Sequence, residues 1–155
     1  MRIDMSSSSA EAQVGRAIAE QVRRVNLAIV REMERIGEES LNRIKRSHTY
    51  LTQTGKLESS TGYVVVWDGR VVKSGDWSAA TASPEADSGI LMGKALADSL
   101  VQRYTQGIVL IMVAGAEYAA YVDAMGYDVI TSGFLWAERR VPQRLEALKR
   151  IINGQ

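Results

Sequence analysis

Apolar residues recur along the first third of the chain at spacings of three and four: Val14, Ile18, Val22, Val25, Ile29, Met33, Ile36 and Ile44, with a change of stripe near Leu41. Arg, Glu and Gln fill the gaps, which is the pattern of an amphipathic helix. Ser8, followed three residues later by Glu11, matches a capping box, in which the two side chains satisfy the first free N–H groups. The spacing therefore predicts one helix from about Ser9 to Arg46. At about 1.5 Å per residue it runs on the order of 55 Å. A domain of this size is roughly 30 Å across, so part of the helix must overhang its own core. Gly37 is the place where it can bend, because glycine loosens a helix interior by about 1 kcal/mol relative to alanine. Arg43, Lys45, Arg46 and His48 fall in its last turn, where cations complement exposed carbonyls.

The clearest turn signal follows. Tyr63–Trp67 and Arg70–Ser74 are β-branched runs joined by Asp68-Gly69, a pair suited to the positive φ angles of a two-residue hairpin turn. In simple register Val66 faces Val71 and Val65 faces Val72. That places Tyr63, Val65, Trp67 and Val72 on one face and Val64, Val66 and Val71 on the other. Neither face is polar, so the hairpin is expected to be covered on both sides, in part by another chain. Ile108 to Ala114, seven apolar residues between Gly107 and Gly115, reads as a central strand buried on both faces. Tyr118, Tyr121, Tyr127, Phe134 and Trp136 follow closely and make up half of the chain's aromatics.

The remaining segments are connections and shorter helices. Thr49 to Ser60 is a polar connection, and Gly75 to Gly89 is a loop of small residues containing Pro84. A helical period runs from about Ile90 to Tyr104, with Asp87 or Ser88 as cap. Glu117 to Gly126 reads as a short helix with Gly126 at its C′ position, and Tyr127, Val129 and Ile130 as a short strand. The last helix carries Leu135, Val141, Leu145, Leu148 and Ile152, capped by Thr131 or Ser132, and Pro142 makes it kink or restart. The chain is thus expected to form a single α+β domain. Its small antiparallel sheet, made of the hairpin, the central strand and the short strand, is packed by a long N-terminal helix and a C-terminal helix.

Composition removes several function classes. Nineteen basic and eighteen acidic residues give a formal charge of +1, which argues against attachment to nucleic acid or an anionic membrane by bulk charge. There is no cysteine, hence no disulfide or thiolate chemistry, and one histidine leaves little room for imidazole clusters or relays. The first residues, Met1 to Gln13, are expected to carry no secretory signal because they have no apolar h-region, and no run reaches the roughly 18 apolar residues of a membrane span. No nucleophile elbow, dinucleotide fingerprint, Walker loop or zincin pattern is present. The sequence therefore names no catalytic, cofactor-binding or metal-binding residue, and the protein is expected not to be an enzyme. Glu117, Asp123 and Asp128 are the nearest approach to a carboxylate site, without the spacing of a calcium loop.

Three segments, in this order, resemble one family. Thr54-Gly55-Lys56-Leu57 with Ser60 is similar to a T-G-x-L-R-x-S-I segment, Glu117-Tyr118-Ala119-Ala120-Tyr121-Val122-Asp123 with Gly126 to Y-A-x-Y-V-E-x-G-T, and Phe134-Leu135 to P-F-L-x-P-A-L. These belong to the tail-completion, or neck, proteins of long-tailed bacteriophages and prophages. Glu58, Thr61, Asp123, Tyr127 and Gly133 depart from that pattern. The resemblance implies a virion structural subunit, a head–tail connector made in the host cytoplasm. Such a subunit assembles as a homo-oligomeric ring, hexameric or higher, between neighbouring neck and tail proteins, with genomic DNA passing through the lumen and no membrane involved. It marks Thr54, Gly55, Leu57, Tyr118, Tyr121, Asp123, Gly126, Phe134 and Leu135 as candidate contact residues.

The residues themselves leave alternatives. Tyr118, Tyr121 and Met125 fit an interface stripe or ordinary core, and Asp123 fits an intersubunit pair with Arg139 or Arg140 or a solvated carboxylate. Arg139, Arg140, Arg144, Lys149 and Arg150 make the last helix basic, and the alternative function is a DNA-binding or regulatory protein using that helix.

Overall fold

The computed structural model describes residues 5–47, 55–78 and 82–154. Helix α1 (Met5–Ser47) is the single long helix that the apolar spacing predicts, and it is uninterrupted through Gly37. A short α2 (Lys56–Ser59) leads into β1 (Thr61–Trp67) and β2 (Arg70–Ser74). Then come α3 (Pro84–Val101), β3 (Ile108–Ala114), α4 (Ala119–Ala124) and α5 (Thr131–Ile152). The strands form one antiparallel sheet in the order β2-β1-β3. The α+β class is as expected.

Alternation along the strands divides the core into two layers. Val64, Val66, Ile111 and Val113 point to one face and pack with Trp77 and with Ala97 and Val101 of α3. Tyr63, Val65, Leu110 and Met112 point to the other, against Val30, Met33 and Leu41 of α1 and Val141 and Leu145 of α5. The sheet is therefore sandwiched between helices. This corrects the expected position of Ile108–Ala114: its apolar residues are indeed covered on both faces, but it pairs only with β1 and lies at the edge. The central strand is β1, buried from Thr61 to Val66.

The hairpin turn forms as its chemistry demands, with φ of 48° at Asp68 and 77° at Gly69. The Asp68 carboxylate also accepts from the Gly107 amide at 2.8 Å, tying the turn to the start of β3. The register departs from the simple one. Val66 faces Val71, but a shift between Val65 and Val66 puts Val65 opposite Lys73 and Val64 opposite Ser74. Val72 is then the extra residue of a bulge, which bends an edge strand away from further pairing. All of β2 is exposed, so coverage on both sides holds for β1 alone. Lys73 reaches across to Glu34 of α1 at 3.2 Å.

Three other expectations change. The small-residue stretch before Gly89 is partly helix: α3 starts at Pro84 with Ser83 as N-cap, its hydroxyl accepting from the Ala86 amide at 3.0 Å, so Asp87 and Ser88 do not cap it. Its buried face is Ala86, Gly89, Gly93, Ala97 and Val101, and because the first turns bury only Ala and Gly the apolar period shows only from about Ile90. A Cβ on Gly93 would collide with the Ser60 carbonyl oxygen, so the missing side chain lets α3 touch the backbone just before β1. Tyr127 to Ile130 is not a strand but the turn between α4 and α5, because the Val129 amide donates to the Asp123 carboxylate instead of a ladder. Finally, α5 runs through Pro142 without restarting, and Asp128 rather than Thr131 or Ser132 accepts a first-turn amide, that of Ser132 at 3.0 Å.

Candidate assembly surface

The first two resembling segments meet in the fold. Thr54 lies outside the described residues. Gly55, with φ of 76°, starts α2. Leu57 is 6% exposed and packs with Ala116, Ala119 and Val129. Ser60 locks this joint: its hydroxyl accepts from the Ala116 amide at 3.0 Å and donates to the Leu57 carbonyl at 2.8 Å. The Ser60 carbonyl accepts from the Gly115 amide at 3.0 Å. Gly55 and Leu57 are therefore buried within one chain. Buried polar groups need such partners, so a serine at the end of α2 is a structural requirement.

The aromatic segment resolves differently. Ala119 and Val122 turn inward on α4, leaving Tyr118, Tyr121 and Met125 at 40%, 68% and 58% exposed. Of the two alternatives, ordinary core within one chain does not hold for these three. Tyr127, Phe134 and Leu135 are also exposed. Gly126, with φ of 87°, occupies the C-terminal position expected of it. Asp123 is engaged within its own chain, accepting from the Val129 amide at 3.2 Å and the Thr131 hydroxyl at 2.9 Å. It fastens the α4–α5 turn. Among the described residues no group of three His, Cys, Asp or Glu is placed to hold a metal ion, so Glu117, Asp123 and Asp128 do not converge.

A second uncovered apolar feature is a row on α1. Its stripe follows an eleven-residue repeat: Val14, Ile18 and Val22, then Val25, Ile29 and Met33, then Ile36, Ser40 and Ile44. Such a repeat has about 3.67 residues per turn, so the stripe stays on one face of a nearly straight helix. Helix α5 covers it in antiparallel sense, from Gly133 beside Ile44 to Leu148 and Ile152 beside Val25 and Ile29. There α5 ends. Val14, Ile18 and Val22 are left 59%, 60% and 53% exposed. Gly15, Ala17 and Ala19 flank them, while Glu20 pairs with Arg23 and Arg24 on the opposite face. The sequence carried this repeat, but only the end of α5 shows which third of it is bare.

The basic residues of α5 are partly neutralised. Arg144 approaches Glu39 at 3.9 Å and Arg150 approaches Glu146 at 3.8 Å. Arg140 and Arg43 instead stack on Trp136, with guanidinium carbons 5.6 and 5.4 Å from the ring centre. No helix of the described residues is long and apolar enough to cross a membrane. No protein-family model, curated protein or solved structure matches the chain.

Proposed function

We propose that this protein is a non-enzymatic structural subunit that associates with copies of itself into a ring at the neck of a long-tailed phage virion, as a head–tail connector or tail-completion protein. The observation that carries the self-association is the bare Val14–Ile18–Val22 third of a stripe whose other two thirds are packed. Monomeric domains seldom leave such a contiguous row open to water. Burying the exposed halves of these side chains is worth about 2–4 kcal/mol per helix. That is too little for a stable assembly alone, and the exposed Tyr121, Met125, Phe134 and Leu135 supply a second patch. The phage assignment rests on the three resembling segments.

The rival, a DNA-binding regulator acting through α5, is less well supported because Arg144 and Arg150 of that helix face carboxylates. The test has two arms. Sedimentation of the full chain should give species above the monomer mass, and Ile18→Asp should return them to monomer without loss of helical signal. Negative-stain images of purified necks or tails should place a labelled subunit at the head–tail junction. Its absence from assembled particles sinks the phage reading, and a monomer at all concentrations sinks the self-association.

A further inference from the structure

Glu39, Asn42, Arg43, Arg46 and Ser47 at the C-terminal end of α1 and Trp136 of α5 line an open cleft of about 490 Å³, with Arg140 beside it on the Trp136 ring. The residues come from stretches nearly a hundred positions apart, so only the antiparallel packing of the two helices assembles them. Arg43 and Arg140 both lie over the Trp136 indole. A guanidinium held against a ring gives up little further side-chain freedom when it binds; Arg140 spends one Nη1–H on the Gln143 side-chain carbonyl at 3.0 Å, and a guanidinium has five N–H donors suited to phosphate oxygens. Arg46 is exposed at the mouth. Among the described residues Arg43, Arg46 and Arg140 have no carboxylate within 4.0 Å, and the one acid of the lining, Glu39, is approached by Arg144. The helix end explains a preference for cations at Arg46. It does not explain why a second helix brings Arg140 to the same place.

We infer that this cleft binds the phosphodiester backbone of nucleic acid, through Arg43, Arg46 and Arg140, without reading base sequence. Guanidinium groups one helical turn apart on two helices suit a strand with repeating phosphates better than one phosphate ion. The volume is that of a site for a group of nucleotide size. The inference goes beyond assembly and can fail separately, because the bare stripe lies on the order of 30 Å or more along α1 from the cleft.

Fluorescence anisotropy of a labelled single-stranded oligonucleotide and a labelled duplex, titrated with the full chain at 50 and 200 mM salt, tests it. Three cations predict binding whose log–log salt slope is about −2 to −3. Arg43→Gln with Arg140→Gln should weaken binding at least tenfold and make the slope shallower by about 1 to 2. Lys94→Gln with Arg103→Gln removes the same charge from exposed positions elsewhere and should leave binding within twofold. Circular dichroism of each variant reports whether it is folded. Equal loss in both double variants means bulk charge alone and overturns the site. So does the absence of binding at 50 mM salt, or displacement of the oligonucleotide by inorganic pyrophosphate at equal phosphate concentration, which identifies a small-anion site.

Discussion

Tyr63 is the residue on which the α1–sheet layer turns, and replacing it with phenylalanine isolates one oxygen. The side chain is fully buried, and its ring is so tightly enclosed that a Cβ on Gly37 or Gly75 would lie 2.5 Å from it. Phenylalanine keeps that packing and removes only the hydroxyl, which donates to the Glu38 carboxylate at 2.7 Å. A hydrogen bond to a charged group contributes about 1.5–3 kcal/mol. Glu38 is half-buried and can recruit water, so the lower end, about 1.5 kcal/mol, applies. At roughly 2–4 °C per kcal/mol for a chain of this size, the melting temperature at pH 8 should fall by about 3–6 °C.

The same hydroxyl makes a pH prediction. Burial first, then the bond to Glu38 and the charges of Glu38 and Glu34, push the phenol far above its ordinary value of 10.0. The folded state therefore holds this proton where the unfolded chain, titrating near 10, has lost it. Stability from Tyr63 is complete below about pH 10 and declines by about 1.4 kcal/mol per unit above it. Tyr63→Phe has no such group. Urea unfolding followed by tryptophan fluorescence at pH 8, 9, 10 and 11 should show the two proteins about 1.5 kcal/mol apart at pH 8 and nearly equal at pH 11, since all other titrations are shared. A gap unchanged across that range refutes the reasoning.

Ser60→Ala leaves the buried Ala116 amide without its acceptor and should cost about 1–3 kcal/mol by urea denaturation. Gly93→Ala forces a Cβ against the Ser60 carbonyl oxygen and to within 2.5 Å of Trp77, so a loss of about 1–3 kcal/mol is expected. Gly15→Ala, in open space on the same kind of element, should instead gain about 0.5–1 kcal/mol. The opposite signs are readable by thermal melts of the two variants side by side. Asp123→Ala removes the acceptor of the Val129 amide and Thr131 hydroxyl and should cost about 1 kcal/mol, as loss of a capping group does. Hydrogen exchange at the start of α5 should rise in that variant and remain unchanged in α3.

Local chemistry made much of this fold legible. The α1 stripe, the Asp68-Gly69 turn and the Gly126 terminus each depend on residues a few positions apart, where 3.6- or 2-residue periods and positive-φ preferences act directly. The α3 start was not legible from apolar periodicity, because its first turns bury only Ala and Gly, which a hydrophobic period does not mark. Strand order was also hidden: apolar residues on both faces of Ile108–Ala114 report coverage by helices above and below, not a neighbour on each edge. For the candidate surface, the resembling segments marked a region, and the fold divided it into a buried joint at Leu57 and Ser60 and exposed aromatics on α4 and α5.

The sequence by itself determined the long helix, its amphipathic stripe and the hairpin, because each is specified by near neighbours along the chain. Only the tertiary structure decided which part of that stripe stays uncovered and which arginines share one indole. Both depend on where α5 begins and ends against α1, a long-range packing outcome set by side chains nearly a hundred residues apart.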